Sequence, residues 1–141
     1  MTSRTSTSVS NLARIEASRA VTPQFYRAPA RVQKNGDAPG EYQHAGAEYV
    51  LGLDHGLVGD APGVGKTLQA IMVGNAIEAE STLVVCPASL RLNWEREVLR
   101  WSSKDGVTTW PIEKSADGVS LAADYVIMSY HLLTNREIQD T

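Results

Sequence analysis

At 141 residues, with 43% hydrophobic and 21% charged side chains, the chain is sized and composed for one small globular domain. Its single cysteine, Cys86, excludes an internal disulfide framework and fits a reducing, intracellular compartment. No apolar run approaches the ~18 residues that a membrane-spanning helix needs, so a soluble protein is expected.

The net charge of −3 hides an asymmetry. Residues 1–36 carry Arg4, Arg14, Arg19, Arg27, Arg31 and Lys34 against Glu16 alone, so the remainder is strongly acidic. With its Ser- and Thr-rich start, 1–38 reads as a flexible, solvated basic leader. A nucleic-acid-touching arm is the alternative. The Arg- and Ser-rich, acid-poor start also resembles an organelle transit peptide, but no long amphipathic helix follows. The turn and breaker cluster Asn35-Gly36-Asp37-Ala38-Pro39-Gly40 marks the start of the folded part, 39–141.

Beyond it, Ala45, Tyr49, Val50 and Leu53 recur at helical spacing and predict a helix over 42–53. His55 to Gly59 reads as a short strand feeding a glycine-rich turn. A helix over 67–79 turns Leu68, Ile71, Val73, Ala76 and Ile77 to the core. Thr82-Leu83-Val84-Val85-Cys86, ended by Pro87, is a continuous apolar run, as in a strand buried on both faces of a parallel sheet. A helix over 90–101 carries Leu90, Trp94, Val98 and Trp101 on one stripe, which makes the two tryptophans core residues rather than base-stacking platforms. Strands are expected at 107–110 and 124–128. Strands separated by helices imply an α/β fold with a parallel sheet flanked by helices.

Gly63-Val64-Gly65-Lys66-Thr67 carries the chemistry. Gly63 and Gly65 let the backbone curl so that successive N–H groups point inward at phosphate oxygens. The helix that follows adds unpaired N–H donors and the positive end of its dipole. Lys66 is placed to reach the β- and γ-phosphates, and the Thr67 hydroxyl to ligate Mg²⁺. The expected binding set is therefore Asp60, Gly63, Val64, Gly65, Lys66, Thr67 and Leu68, with ATP and Mg²⁺ as cofactors and Lys66 and Thr67 as the groups closest to the chemistry. Asp60 stands where the strict P-loop pattern has glycine. No spacing of His44, His55, His131 and Cys86 suits a metal site.

Three further segments stand in order around this loop. Glu41 to Tyr49 holds a Tyr-Gln pair followed by a glycine and an aromatic. Leu83-Val84-Val85-Cys86-Pro87-Ala88-Ser89-Leu90 runs on into Asn93-Trp94-Glu95, and Val126-Ile127-Met128-Ser129-Tyr130 comes later. With the loop, these segments resemble the Swi/Snf-related DNA translocases of helicase superfamily two over about 41–133. Ala-Gly-Ala-Glu-Tyr before the loop is similar to the annealing-helicase branch. The resemblance implies the first part of a RecA-like motor lobe working in the cytoplasm, nucleoid or nucleus. It assigns Gln43 to the adenine, whose N6/N7 edge suits a carboxamide. It assigns Pro87, Ser89 and Ser129 to the backbone of a DNA partner. Without the family, Gln43 reads as a solvated glutamine at a helix start, and Ser129 as a capping serine beside Tyr130.

The family's Asp-Glu-x-His box follows no strand here, and its Asp-Glu-Met-Gly is replaced by Asp60-Ala61-Pro62-Gly63. The chain is accordingly expected to be an incomplete lobe that binds nucleotide weakly, with negligible turnover by itself. It is expected to pair with the remainder of the motor or another protein. A non-enzymatic nucleotide- or DNA-binding regulatory module is the rival reading. A small P-loop kinase comes last, because 102–117 supplies no lid arginine.

Overall fold

A computed structural model describes residues 19–31, 33–114, 117–120 and 122–133. The elements in order are α1 (Glu41–Leu51), α2 (Lys66–Ala76), β1 (Thr82–Cys86), a 3-10 turn (Ala88–Leu90), α3 (Arg91–Trp101), β2 (Thr109–Pro111), β3 (Tyr125–Ser129) and α4 (Tyr130–Leu133). The three strands form one parallel sheet in the order β1-β3-β2, with Thr82 and Thr109 both in register with Tyr125. Parallel strands cannot be joined by a tight turn, and α3 lies in the connection from β1 to β2. The expected α/β parallel sheet flanked by helices is what the chain forms, incomplete beside a full RecA-like lobe.

One face of the sheet carries the core. Val84 and Cys86 of β1 and Tyr125 and Ile127 of β3 pack with Leu68, Ile71 and Met72 of α2 and with Val98 and Trp101 of α3. Ala47 of α1 and Ala28 join them, and Trp94 is partly buried against the same cluster. Trp101 donates its ring N–H to Glu97 (2.9 Å) and lies under the Arg100 guanidinium, so both tryptophans serve packing, as expected. The other face holds a smaller cluster of Ile112, Val126 and Met128.

Several expectations shift. The run from Thr82 to Cys86 is an outer strand with Leu83 56% exposed, and the strand buried along its whole length is β3, which lies between two neighbours. Residues 55–59 form no strand, since none of the described strands pairs with them and Leu57 stands 84% exposed between Gly56 and Gly59. Leu90 falls in the 3-10 turn before α3, off the helical stripe, and is exposed. The second helix stops at Ala76, where Glu78 turns to a positive φ of 49°, and leaves Ile77 outside the core. Within the expected leader, Ala28 is 1% exposed, Arg31 N–H bonds to Trp101 C=O (3.2 Å), and Asn75 Nδ2 donates to Pro29 C=O (2.9 Å). Ala28 to Arg31 thus touch the core and the end of α3. Among the described residues no helix is long and apolar enough to cross a membrane.

A polar clasp closes the edge where β2 and β3 begin. The Lys104 ammonium and the Thr108 N–H and hydroxyl (both 2.8 Å) converge on the Asp124 carboxylate, whose side chain is only 10% exposed. Those donors hold its pKa down at about 2, from 3.8. A depressed carboxylate pKa stabilises the fold above the unfolded value and loses that contribution as pH falls through the folded one. Since Lys104 is exposed, the contribution is about 1–2 kcal/mol. Urea unfolding should therefore show the wild type losing this much more than Asp124→Asn between about pH 5 and pH 2. Parallel pH curves for the two proteins would refute the clasp.

Candidate functional site

The glycine-rich loop lies between α1 and α2, and its conformation follows from its glycines. Gly63 has φ +85° and Gly65 φ +83°, a region that costs an L side chain about 1–2 kcal/mol. Gly65 is the N-cap of α2, and the first helical bond runs from Gln69 N–H to Gly65 C=O (3.2 Å). The N–H groups of Lys66, Thr67 and Leu68 precede that bond and have no intrahelical acceptor. A concave run of donors thus meets the positive end of the helix dipole.

Position in the fold favours a ligand here. The end of α2 meets the starts of β1 and β3, since a Cβ on Gly74 would lie 2.9 Å from Tyr125 Oη and 3.7 Å from Thr82 Oγ1. An 11-residue helix is about as long as a five-residue strand. The start of α2 therefore projects toward the C-terminal edge of the sheet, where α/β proteins place ligands. Pro87 and Ser89 are exposed just beyond β1 on that edge. Ser129 ends β3 beside Cys86 but is 4% exposed, so its hydroxyl sits beneath the surface on which the other two stand. Cys86 is a buried core residue, and burial pushes its thiol up, outweighing the nearby Arg91 charge.

Two side chains tie the loop together. Lys66 Nζ bends back and donates to the carbonyls of Asp60 (2.7 Å) and Ala61 (2.9 Å). Gln43, only 9% exposed, reaches in from the first turn of α1. Its Oε1 accepts Gly40 N–H (2.8 Å), which caps the helix, and its Nε2 donates to Val64 C=O (3.2 Å). Neither the solvated nor the freely presented glutamine describes it, because it joins helix to loop. Each half of the amide has made one bond, so one N–H and one acceptor lone pair remain.

Beside α1 opens a cleft of about 720 Å³ lined by Tyr42, Gly46, Tyr49, Asp60 and Val64, with Arg19 and Val21 on its far wall. The segment that follows Val21 is fastened to α1. Glu48 accepts N–H bonds from Gln24, Phe25 and Tyr26 (2.6–2.7 Å), and Glu41 pairs with Arg27. Burial opposes the Glu48 charge, yet the three N–H donors prevail and lower its pKa. The Arg27 hydrogen bond lowers that of Glu41. Burial, reinforced by the Arg27 charge, lowers the pKa of His44, which favours the neutral ring. Sequence reasoning missed Glu48 and Gln69, since neither has a local motif. Among the described residues no group of His, Cys, Asp and Glu could hold a metal by itself.

A family model described as the SNF2-related domain matches residues 42–140. The chain belongs to the SNF2-related family. Over 70 residues it is 43% identical to a protein named Helicase swr1 from Aspergillus fumigatus, covering 43% of this chain and 4% of that protein. It is 37% identical over 70 residues to Protein CHROMATIN REMODELING 19 from Arabidopsis thaliana, covering 43% of this chain and 9% of the relative. Helicase domino from Drosophila melanogaster is 34% identical over the same length, covering 43% of this chain and 2% of the relative. The SNF2-related chain thus spans less than a tenth of the length of these relatives, and their names carry the family rather than a branch of it.

Proposed function

We propose that this chain is the nucleotide-binding front of an ATP-dependent motor acting on DNA. The observation that carries the reading is the loop geometry: two positive-φ glycines present the N-terminal N–H groups of α2, with Lys66 at their centre. Gly65 admits the close approach of the Gln43 amide, since a Cβ there would lie 2.3 Å from Gln43 Nε2, and the free N–H donors at the start of α2 suit phosphate oxygens. ATP, when bound, supplies the phosphoryl group whose transfer drives such motors.

The chain's own groups have separable roles. The N–H groups of Gly65, Lys66, Thr67 and Leu68 would hold phosphate oxygens, with Gly63, Val64 and Asp60 shaping the turn. Lys66 leaves the carbonyls of Asp60 and Ala61, exchanging two neutral acceptors for anionic oxygens, a stronger class of hydrogen bond. Thr67 would ligate Mg²⁺ through its hydroxyl. Gln43 offers its remaining donor and acceptor to the adenine edge while its other bonds keep α1 on the loop. Pro87 and Ser89, and Ser129 if the edge of β3 opens, serve a DNA backbone on the C-terminal edge of the sheet. The names of the relatives, helicases and a chromatin remodelling protein, support DNA or chromatin as the partner and a nuclear setting.

Calorimetry of ATP–Mg²⁺ on this chain, beside Lys66→Ala, tests the reading. Saturable binding weakened about 10- to 100-fold in the variant is expected, the scale of one charge-assisted contact. Equal affinities would remove Lys66 from the site and the reading with it. Phosphate release clearly above the Lys66→Ala control would show that the chain is also a hydrolase, and not only the binding part of one.

A further inference from the structure

Gln69 is the one buried polar side chain of α2, and it is buried completely, at 0% exposure. It lies between Leu68 and Ile71 in sequence, where an apolar residue would pack without cost. Instead its Nε2 donates to the Asp60 carboxylate (3.0 Å), and its Oε1 has no hydrogen-bond partner among the described residues. The opposite amide orientation would set oxygen against carboxylate, so this one is required. An unsatisfied buried acceptor costs about 1–3 kcal/mol, so stability alone does not account for glutamine here. Departures of this kind are expected where position matters more than stability.

The seat of Gln69 is equally specific. It lies against the bare backbone of Gly46 on α1, where a Cβ would stand 2.8 Å from its Cδ and Oε1 and 2.9 Å from its Nε2. Only glycine leaves this room. Asp60 is thereby held twice, its carboxylate by Gln69 and its carbonyl by Lys66 Nζ (2.7 Å). When Lys66 turns to a ligand, Gln69 is the side-chain hold on Asp60 that remains.

We propose that Gln69 is a positioning residue of the phosphate loop, which grips Asp60 from inside the core and rests on Gly46, so that the helix carrying Gln43 and the loop carrying Lys66 move as one body. The proposal rests on reading 59–67 as a phosphate site. It also accounts for Asp60. Where a glycine would leave the loop entrance free, a carboxylate is the handle by which the core holds it.

The test separates packing from grip. Gln69→Met keeps the volume, removes the unsatisfied oxygen and releases Asp60. It should melt no lower than wild type while binding ATP–Mg²⁺ about tenfold more weakly. Amide exchange at Asp60, Ala61 and Gly63 to Gly65 should quicken, with the amide of Ile127 unchanged. Gln69→Glu sets two carboxylates together and should do worse; adding Asp60→Asn, which restores an amide–carboxylate pair in reverse, should recover affinity to within about threefold. The proposal is overturned if Gln69→Met leaves affinity and loop exchange at wild-type values, or if Asp60→Asn brings no recovery. Lys66→Ala serves as the control for the site itself. Should that variant bind ATP normally, the phosphate-site reading fails, and loop exchange in Gln69→Met still decides whether Gln69 holds the loop.

Discussion

Replacing Gly65 by alanine should abolish measurable ATP–Mg²⁺ binding, a loss of at least about 100-fold, and lower stability by roughly 2–3 kcal/mol. Two causes add. Alanine at φ +83° carries left-handed strain, and its methyl would lie 2.3 Å from Gln43 Nε2. Gln43 has no slack to retreat, because its other amide atom caps α1 on Gly40 N–H. Moving it breaks the bond to Val64 C=O and loosens the helix start, so one methyl group disturbs α1 and the glycine-rich loop together. Gly63→Ala supplies the contrast. Its φ is +85°, but nothing lies within 4 Å of the added methyl, so only the strain of about 1–2 kcal/mol is expected. Calorimetric titration and thermal melts of the pair decide the matter. Gly65→Ala binding ATP within threefold of wild type would show that the cradle is not where the nucleotide sits.

The difference between these two glycines marks the line between what is legible in the sequence and what is not. That both glycines take positive φ follows from local chemistry, since a glycine-rich turn opening a helix has few other uses for them. That Gln43 stands over Gly65 and not over Gly63 depends on how α1 lies across α2, and no periodicity in either segment encodes it. Gln69 is the same case in stronger form. Its acceptor is nine residues back and its seat, Gly46, is on another helix. The three N–H groups gathered by Glu48 come from 22–24 residues upstream, in a segment whose composition reads as solvated leader. Composition reports average hydrophobicity, and one buried alanine with two or three backbone bonds is enough to fasten such a segment.

Strand burial shows the same limit. The apolar runs Thr82–Cys86 and Tyr125–Ser129 look alike as text, and either suits a strand covered on both faces. Their fates differ because sheet order is a non-local property. β3 has a neighbour on each side and side chains packed above and below, whereas among the described residues β1 has β3 alone beside it and leaves Leu83 open. Leu83 and Trp110, both in register with Val126, flank it on the thinly covered face, and both are exposed while Val126 is not. The run of four apolar residues predicts a strand in each case, and its place in the sheet decides what the strand is worth.

That asymmetry fixes the largest stability effect expected from a single truncation. Ile127→Ala should cost about 2–5 kcal/mol, the cost of a cavity in a packed core added to the lost transfer energy. Ile127 is 0% exposed, pairs with Val84 on one side and Pro111 on the other, and packs in the cluster with α2 and α3. Ladder neighbours on both sides leave the strand little freedom to close the void, which places the cost in the upper half of the range. Leu83→Ala, on the outer strand and 56% exposed, should cost under about 1 kcal/mol, since it removes little buried surface. Urea midpoints at constant m-value measure both. A small domain has only about 5–15 kcal/mol of stability to lose, so Ile127→Ala should also weaken ATP binding through the unfolded fraction alone. Saturating ATP–Mg²⁺ should then restore part of the midpoint. A restored midpoint in Ile127→Ala but none in Gly65→Ala separates damage to the core from damage to the site: ligand can rescue a fold whose binding loop is intact, and it cannot rescue one whose loop no longer accepts it.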